Sequence, residues 1–453
     1  MTKNKQNKII TDAKKRIKEE KKKIKEEKKA IRKRKRERFK RSKFGKTKLG
    51  RFLGKIFFIS NDKNNYTFSD VSIITAFSLI VGFFTCFSLM SIITGGKNIF
   101  KLTKDLGKFY DVYDVITDNY NGTINKNELI DAAIDGMVSS VGDTYTTYND
   151  INETNSFNQL VKGTYDGIGC TITKVENGIK VIEVYDNSPA EKAGLKADDV
   201  IVKVDNQNAL ELGTTKLADY IKNEANKKIK VEAIRDKENI TFTIEKNTVE
   251  IPSIVSKTFE KNDKLIGYLG ISIFSSVTDK QFEKELLKLE EKKIDALIID
   301  VRGNNGGYLT CVKDIASLFL SKGSTIYQVE KDKKKDIIKD KTAAKRTYPV
   351  AVLQNNGSAS ASEILAAAIK ESYKGFIVGT KSYGKGTVQQ VKELSDGSMV
   401  KYTIENWLTP DGNWINDAGI EPTDEIVLND EYFEKPSDET DNQLQKALEL
   451  VSK

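Results

Sequence analysis

Histidine is absent from this 453-residue chain. That absence removes Ser-His-Asp and Cys-His catalysis and every zinc site built on imidazole. Cysteine is scarce, with three residues, too few for a disulfide framework. Cys86 falls in a long apolar run, while Cys170 and Cys311 sit in apolar surroundings and are expected as free thiols. No metal or organic cofactor is implied. Acidic residues are sparse in the first 70 positions, which hold 8 of the 65 Asp and Glu but 27 of the 74 Lys and Arg, a net of +19. The rest of the chain is therefore at −10, and the formal +9 of the whole is a property of a basic arm. Nucleic acid is not an expected partner of the folded part.

Residues 71–94, VSIITAFSLIVGFFTCFSLMSIIT, carry no charge. At a rise of ~1.5 Å per residue, such a helix spans a hydrocarbon core of ~30 Å, and a transmembrane helix is expected there. Lys46, Lys48, Arg51 and Lys55 precede it. The positive-inside rule then keeps residues 1–70 in the cytoplasm and carries residues 97–453 out, giving a single-pass protein of the cell membrane. In the arm, Ile10, Ile17, Ile24 and Ile31 recur every seven residues, but the companion positions are Ala13, Glu20, Glu27 and Arg34. One apolar column predicts a solvated single helix, not a coiled coil. Residues 43–59 mix basic and aromatic side chains and suit contact with anionic lipid headgroups.

Beyond the span, residues 97–162 read as helices. From 163 to 251 the pattern changes to short β-rich runs such as IKVIEV and KIKVEAI, interrupted by a helix at Ser188-Pro189-Ala190 closed by Gly194 and by a second through LADYIKNEA. This predicts a small β-rich binding domain. Residues 252–436 then alternate strand, helix, strand (GYLGISIF, FEKELLKLEEKK, DALIIDV, YPVAVLQ, ASEILAAAIK, GFIVGT), the mark of an α/β core with parallel pairing. A C-terminal helix is assigned to 437–453.

Three segments carry chemistry. NNGSASASE follows a strand and opens a helix, a geometry that exposes a hydroxyl and aims amides at what it attacks. Ser360 and Glu363 also have capping-box spacing. DVRGNNGG (300–307) has paired glycines that let backbone amides approach an oxyanion. GTKSYGKGTVQQ (379–390) fits GxxxxGK through Gly379, Gly384 and Lys385, with Asp300 at the end of an apolar strand. A P-loop nucleotide hydrolase is nevertheless disfavoured: Gly386 replaces the magnesium-binding hydroxyl, and a β-like run follows where a helix belongs. Without histidine, a serine nucleophile needs another base, and lysine substitutes if burial makes its amine neutral. Gln389, four residues after Lys385, is a neutral orienter expected on the same face of a strand.

These segments resemble the carboxyl-terminal processing proteases, tail-specific serine peptidases with a Ser-Lys-Gln centre. The resemblance implies a mixed α/β protease core of ClpP/crotonase-like type with an inserted β-rich PDZ domain. It makes Ser360 the nucleophile, Lys385 the general base and Gln389 its orienter, with oxyanion amides from Gly306 and Ala361. YDGIGCTI then resembles a carboxylate-binding loop, with the amides of Gly167, Ile168 and Gly169 holding a peptide C-terminus. Protein tails as substrates and a homodimer formed through the N-terminal helices and C-terminal segment are implied as well. The rival reading is a PDZ adaptor with a silent catalytic domain. Gly142-Asp143-Thr144-Tyr145 departs from the family's Asp-Pro pair before an aromatic, and is expected to affect helix docking but not the chemistry.

Overall fold

The computed structural model describes residues 3–43, 46–48, 51, 68–93, 99–223, 225, 227–343 and 346–453. Two compact units are present, 1–124 and 125–453.

In the first unit, the arm is one helix, Lys3–Arg41, with Ile17, Ile24 and Ile31 about half exposed. Its helicity follows from Lys, Arg and Glu, which lose little rotamer freedom in a helix. Residues 43–59, expected to contact lipid headgroups, lie largely outside the described residues. The expected membrane span becomes the helix Phe68–Ile93, whose side chains are described without a break only over 74–89. Among the described residues, no helix is long and apolar enough to cross a membrane.

In the second unit, a six-stranded sheet forms the α/β core. The hairpin Ile254–Lys261 and Lys264–Ile271 leads into parallel pairing of Lys264–Ile271, Ala296–Asp300, Val350–Gln354, Phe376–Gly379 and Asp424–Glu425. The strands ALIID and VAVLQ are buried throughout because both sheet faces are covered. On one face, Leu297, Ile299, Val350 and Val352 pack with the helices Thr278–Glu291, Leu309–Ser317 and Ala361–Ala367. On the other, Ala296, Ile298, Ala351 and Leu353 meet Leu444, Ala447, Leu448 and Val451 of the C-terminal helix Asn442–Val451. A second sheet pairs Met399–Leu408 with Thr147–Asn149, Thr325–Lys331 and Thr387–Glu393.

The β-rich insert is a separate antiparallel sheet, in the order Cys170–Val175, Gly178–Val184, Val200–Val204, Lys228–Arg235, Glu238–Glu245. It has its own core around Ile179, Ile201, Leu217 and Ile244. Lys228–Arg235 alternates exposed and buried, as a sheet with one wet face should. The short helix Pro189–Lys192 has Ser188 as N-cap, and Gly194 (φ +86°) ends it in the left-handed region. Chain entry and exit, Thr164–Gly167 and Asn247–Glu250, pair as a two-stranded ribbon. Cys170 and Cys311 are free thiols, and burial pushes both to about 12.

Candidate active site

Parallel pairing of Ala296–Asp300 with Val350–Gln354 brings the loops beyond their carboxyl ends together. The structure distinguishes the three serines of SASAS by what their hydroxyls do. Ser358 Oγ is buried and donates to Val301 O at 2.8 Å. Ser362 Oγ is buried and donates to Asn304 O at 2.7 Å. Those two staple the helix start to the glycine loop. Ser360 alone faces a cavity of about 770 Å³, and its backbone is strained at φ +54°, ψ −112°. A non-glycine residue held there costs ~1–3 kcal/mol, tolerated where surrounding bonds over-determine it.

Glu363 supplies those bonds. Sequence spacing marked it only as half of a capping box, and it does accept Ser360 N–H at 2.7 Å. Fully buried, it also accepts Ser382 Oγ (2.7 Å), Gly384 N–H (2.7 Å) and Lys385 N–H (3.0 Å). One carboxylate therefore holds both the serine turn and the lysine turn. Both tryptophans of the chain brace the latter: Trp407 Nε1 donates to Lys385 O (2.6 Å) and Trp414 Nε1 to Gly386 O (2.9 Å). A Cβ on Gly386 would meet Asn416 N at 2.6 Å, so only glycine fits this close approach. The turn opens the strand Thr387–Glu393, not a helix, and its amides are spent on a carboxylate. A phosphate has no place there, and the nucleotide reading falls.

The Lys385 amine lies in the Ser360 cavity and has no hydrogen-bond or ion-pair partner among the described residues. Burial, with Lys401 as a second cation, lowers it to about 8 against the opposing pull of Glu363 and Asp143. Gln389 lines the same cavity, but not for the reason expected. Lys385 precedes the strand, and a bulge between Val388 and Gln389 breaks strict alternation, so tertiary geometry brings the pair together.

The expectation that residues 142–145 stand apart from the chemistry is corrected. Thr147–Asn149 pairs with Met399–Lys401 and carries the preceding loop into the site, where Lys385 Nζ lies 4.9 Å from the centroid of the Tyr145 ring. The glycine loop 300–307 is also more constrained than its sequence suggests. A Cβ on Gly306 would meet Ala359 O at 2.8 Å and Ser360 Cβ at 2.9 Å, which sets this glycine against the serine turn and beside Ala361 N. Gly306 N–H itself donates to Asn304 Oδ1 at 2.8 Å. Arg302, next in that loop, is clamped by Asp300 (2.6 Å) and by Asp441 at the cap of the C-terminal helix (2.8 Å). In the insert, Gly167, Ile168 and Gly169 are buried, and the Ile168 and Gly169 carbonyls accept Ala190 N–H (2.8 Å) and Tyr185 N–H (3.0 Å). This leaves Cys170–Val175 as an edge strand.

Known proteins were compared with this arrangement. Residues 265–426 match peptidase family S41, 167–245 a PDZ domain and 90–154 the activating protease CtpB N-terminal domain. The carboxy-terminal processing protease CtpB of Bacillus subtilis (strain 168) is 36% identical over 333 residues, covering 73% of this chain and 69% of that protein. The chain belongs to the carboxy-terminal processing proteases of family S41. CtpA of the same organism is likewise 36% identical, over 75% of this chain and 73% of that protein. A solved photosystem II D1 C-terminal processing protease aligns with TM-score 0.44 and 24% identity, over 79% of this chain and 92% of that one. This S41 peptidase thus has the family's mixed α/β protease fold with a PDZ domain.

Proposed function

We propose that the chain is a membrane-anchored, extracytoplasmic endopeptidase that captures protein C-terminal tails on its PDZ domain and cleaves them through an acyl-enzyme. The observation that carries this reading is Ser360, strained and cavity-facing, with the partly buried Lys385 lining the same cavity and no carboxylate bound to its amine. Lys385, neutral, takes the Ser360 Oγ proton as Oγ attacks the scissile carbonyl carbon. The amides of Gly306 and Ala361 receive the oxyanion, the substrate oxygen competing with Asn304 Oδ1 for the Gly306 N–H. The Lys385 ammonium, held by the Gln389 carbonyl, then protonates the leaving amine, and water releases the acyl group by the same route in reverse. Among the described residues no hydrogen bond joins the Ser360, Lys385 and Gln389 side chains, and we propose that substrate brings them together.

For the tail, the amides of Gly167, Ile168 and Gly169 hold the terminal carboxylate while the peptide extends along the open edge of Cys170–Val175. Anchoring rests on the uncharged run 71–94 behind a basic flank, which places the PDZ and protease domains outside the cytoplasm. The arm rests on anionic lipid, and the protein acts as a homodimer. The test is cleavage of an unfolded, tail-bearing protein by the full chain in detergent, alongside Ser360→Ala and Lys385→Ala. Fragments from the unaltered enzyme alone are expected, and equal cleavage by all three would overturn the assignment.

A further inference from the structure

Gln389 is useful to a lysine base only if its amide presents oxygen, not NH₂, to the amine. Nothing in the side chain itself selects that end, because the two are nearly the same shape. We infer that Asp143 and Thr403 form the outer half of the base assembly, a hydrogen-bond chain that decides which end of the Gln389 amide faces Lys385. This rests on the Ser360–Lys385 reading above and extends it to two positioning residues.

The argument is a count of protons. Thr403 Oγ1 donates to Asp143 Oδ2 at 2.6 Å. An ionised carboxylate only accepts, so the single hydroxyl proton of Thr403 is committed to it. Whatever meets Thr403 Oγ1 from its other side must then be a donor. Gln389 Nε2 lies there at 3.3 Å, and it also donates to Thr387 Oγ1 at 2.8 Å. Both protons of the amide nitrogen are thereby spent on threonines of the sheet, and the carbonyl oxygen is left for the cavity shared with Lys385. The bulge at Val388/Gln389 sets Gln389 opposite Thr403 in the register, which closes the chain.

Asp143 is built to stay an acceptor. Burial alone would raise its carboxyl, but bonds from Thr146 Oγ1, Thr403 Oγ1 and Tyr145 N–H (3.1 Å), with Lys385 nearby, hold it below the ordinary range. Thr403 N–H in turn donates to Thr146 Oγ1 at 3.3 Å, tying the loop to the strand. Around the Lys385 amine stand Lys401 from Met399–Leu408, Glu363 from the serine helix, Asp143, and the Tyr145 ring, whose hydroxyl faces Tyr383. Asp143 thus acts in two separable ways: through the Thr403 proton on the amide, and through its charge on the amine.

The test compares Asp143→Asn, Thr403→Val, Thr403→Ala and Thr403→Ser in the full chain in detergent, with Ser360→Ala and Lys385→Ala as references, following kcat and KM for a tail-bearing protein against pH. Losing the bond to Thr403 is expected to lower kcat about tenfold or more with little change in KM. Thr403→Ser, which keeps the hydroxyl, should stay within about threefold. In Asp143→Asn the rising limb of the pH profile should also move to lower pH, because a negative charge that favours the ammonium is gone. In the Thr403 variants only its height should fall. Asp143→Asn combined with Thr403→Val should be no worse than the poorer single variant. A Thr403→Val or Thr403→Ala enzyme as fast as the unaltered one, or a Thr403→Ser enzyme as slow as they are, overturns the chain. Cleavage by Lys385→Ala would instead overturn the parent reading, and is seen before the Thr403 variants are compared.

Discussion

Two partly buried cations lie in the loops next to the serine turn, and their surroundings are opposite. Arg302 meets Asp300 and Asp441 at 2.6 and 2.8 Å and also donates to Gln443 at 3.0 Å. Burial works against its charge, yet the two carboxylates outweigh it and drive the guanidinium further up. Lys385 is partly buried as well, but no carboxylate is bonded to it among the described residues; burial, with Lys401 as a second cation, outweighs Glu363 and Asp143, and it falls to about 8. Burial alone therefore does not decide ionisation; the direct partner does. A cation with two carboxylates is a permanent fastener, here between the glycine loop 300–307 and the C-terminal helix. A cation without one loses its proton more easily.

That contrast can be broken in three places. The largest effect belongs to Lys385→Met. Cleavage should fall by ~10⁴-fold or more, as for loss of any member of an interdependent catalytic set. Stability should move the other way. With its folded pKa depressed from 10.5 to about 8, the lysine penalises the fold below pH 8, and the penalty fades as pH rises from 8 towards 10.5. The variant should be more stable at pH 7, by on the order of 3 kcal/mol at most, and lose that advantage near pH 10. Urea midpoints at the two pH values measure it, and a variant destabilised equally at both would break the comparison.

Arg302→Met should do the reverse, costing ~3–5 kcal/mol by leaving Asp300 and Asp441 buried and unpaired. Denaturant unfolding reads this directly, and a loss below ~1 kcal/mol would show that the clamp is not a fastener. The smallest effect is expected from Lys401→Met. Removing the second cation should raise the Lys385 pKa above about 8, so the rate should need a more alkaline pH to reach its plateau. A pH–rate profile that stays put or moves to lower pH would assign the shift to desolvation alone.

Legibility in the sequence followed the range of the interaction. The strands ALIID and VAVLQ, the Ser188-Pro189 helix start and the Ser360 and Lys385 segments were readable, because each depends on neighbours a few residues away. The place of Gln389 in the cavity does not follow from strand alternation, which the bulge breaks. The roles of Asp143 and Tyr145 beside Lys385 were not legible, since nothing local links them to a lysine some 240 positions on. Glu363 was recognised as a cap, while its bonds to Ser382, Gly384 and Lys385 lie beyond any helix pattern.

By itself the sequence determined which residue types are available: no histidine, a serine at a strand-to-helix turn, glycines and a lysine in neighbouring loops, and a β-rich insert. Those are properties of residue types and short-range geometry. Only the tertiary structure decided which serine is left unspent, whether the lysine meets a carboxylate, and which way the glutamine amide points. Each of these depends on partners from distant elements, and on burial that exists only once two sheets and their helices have closed around the cavity.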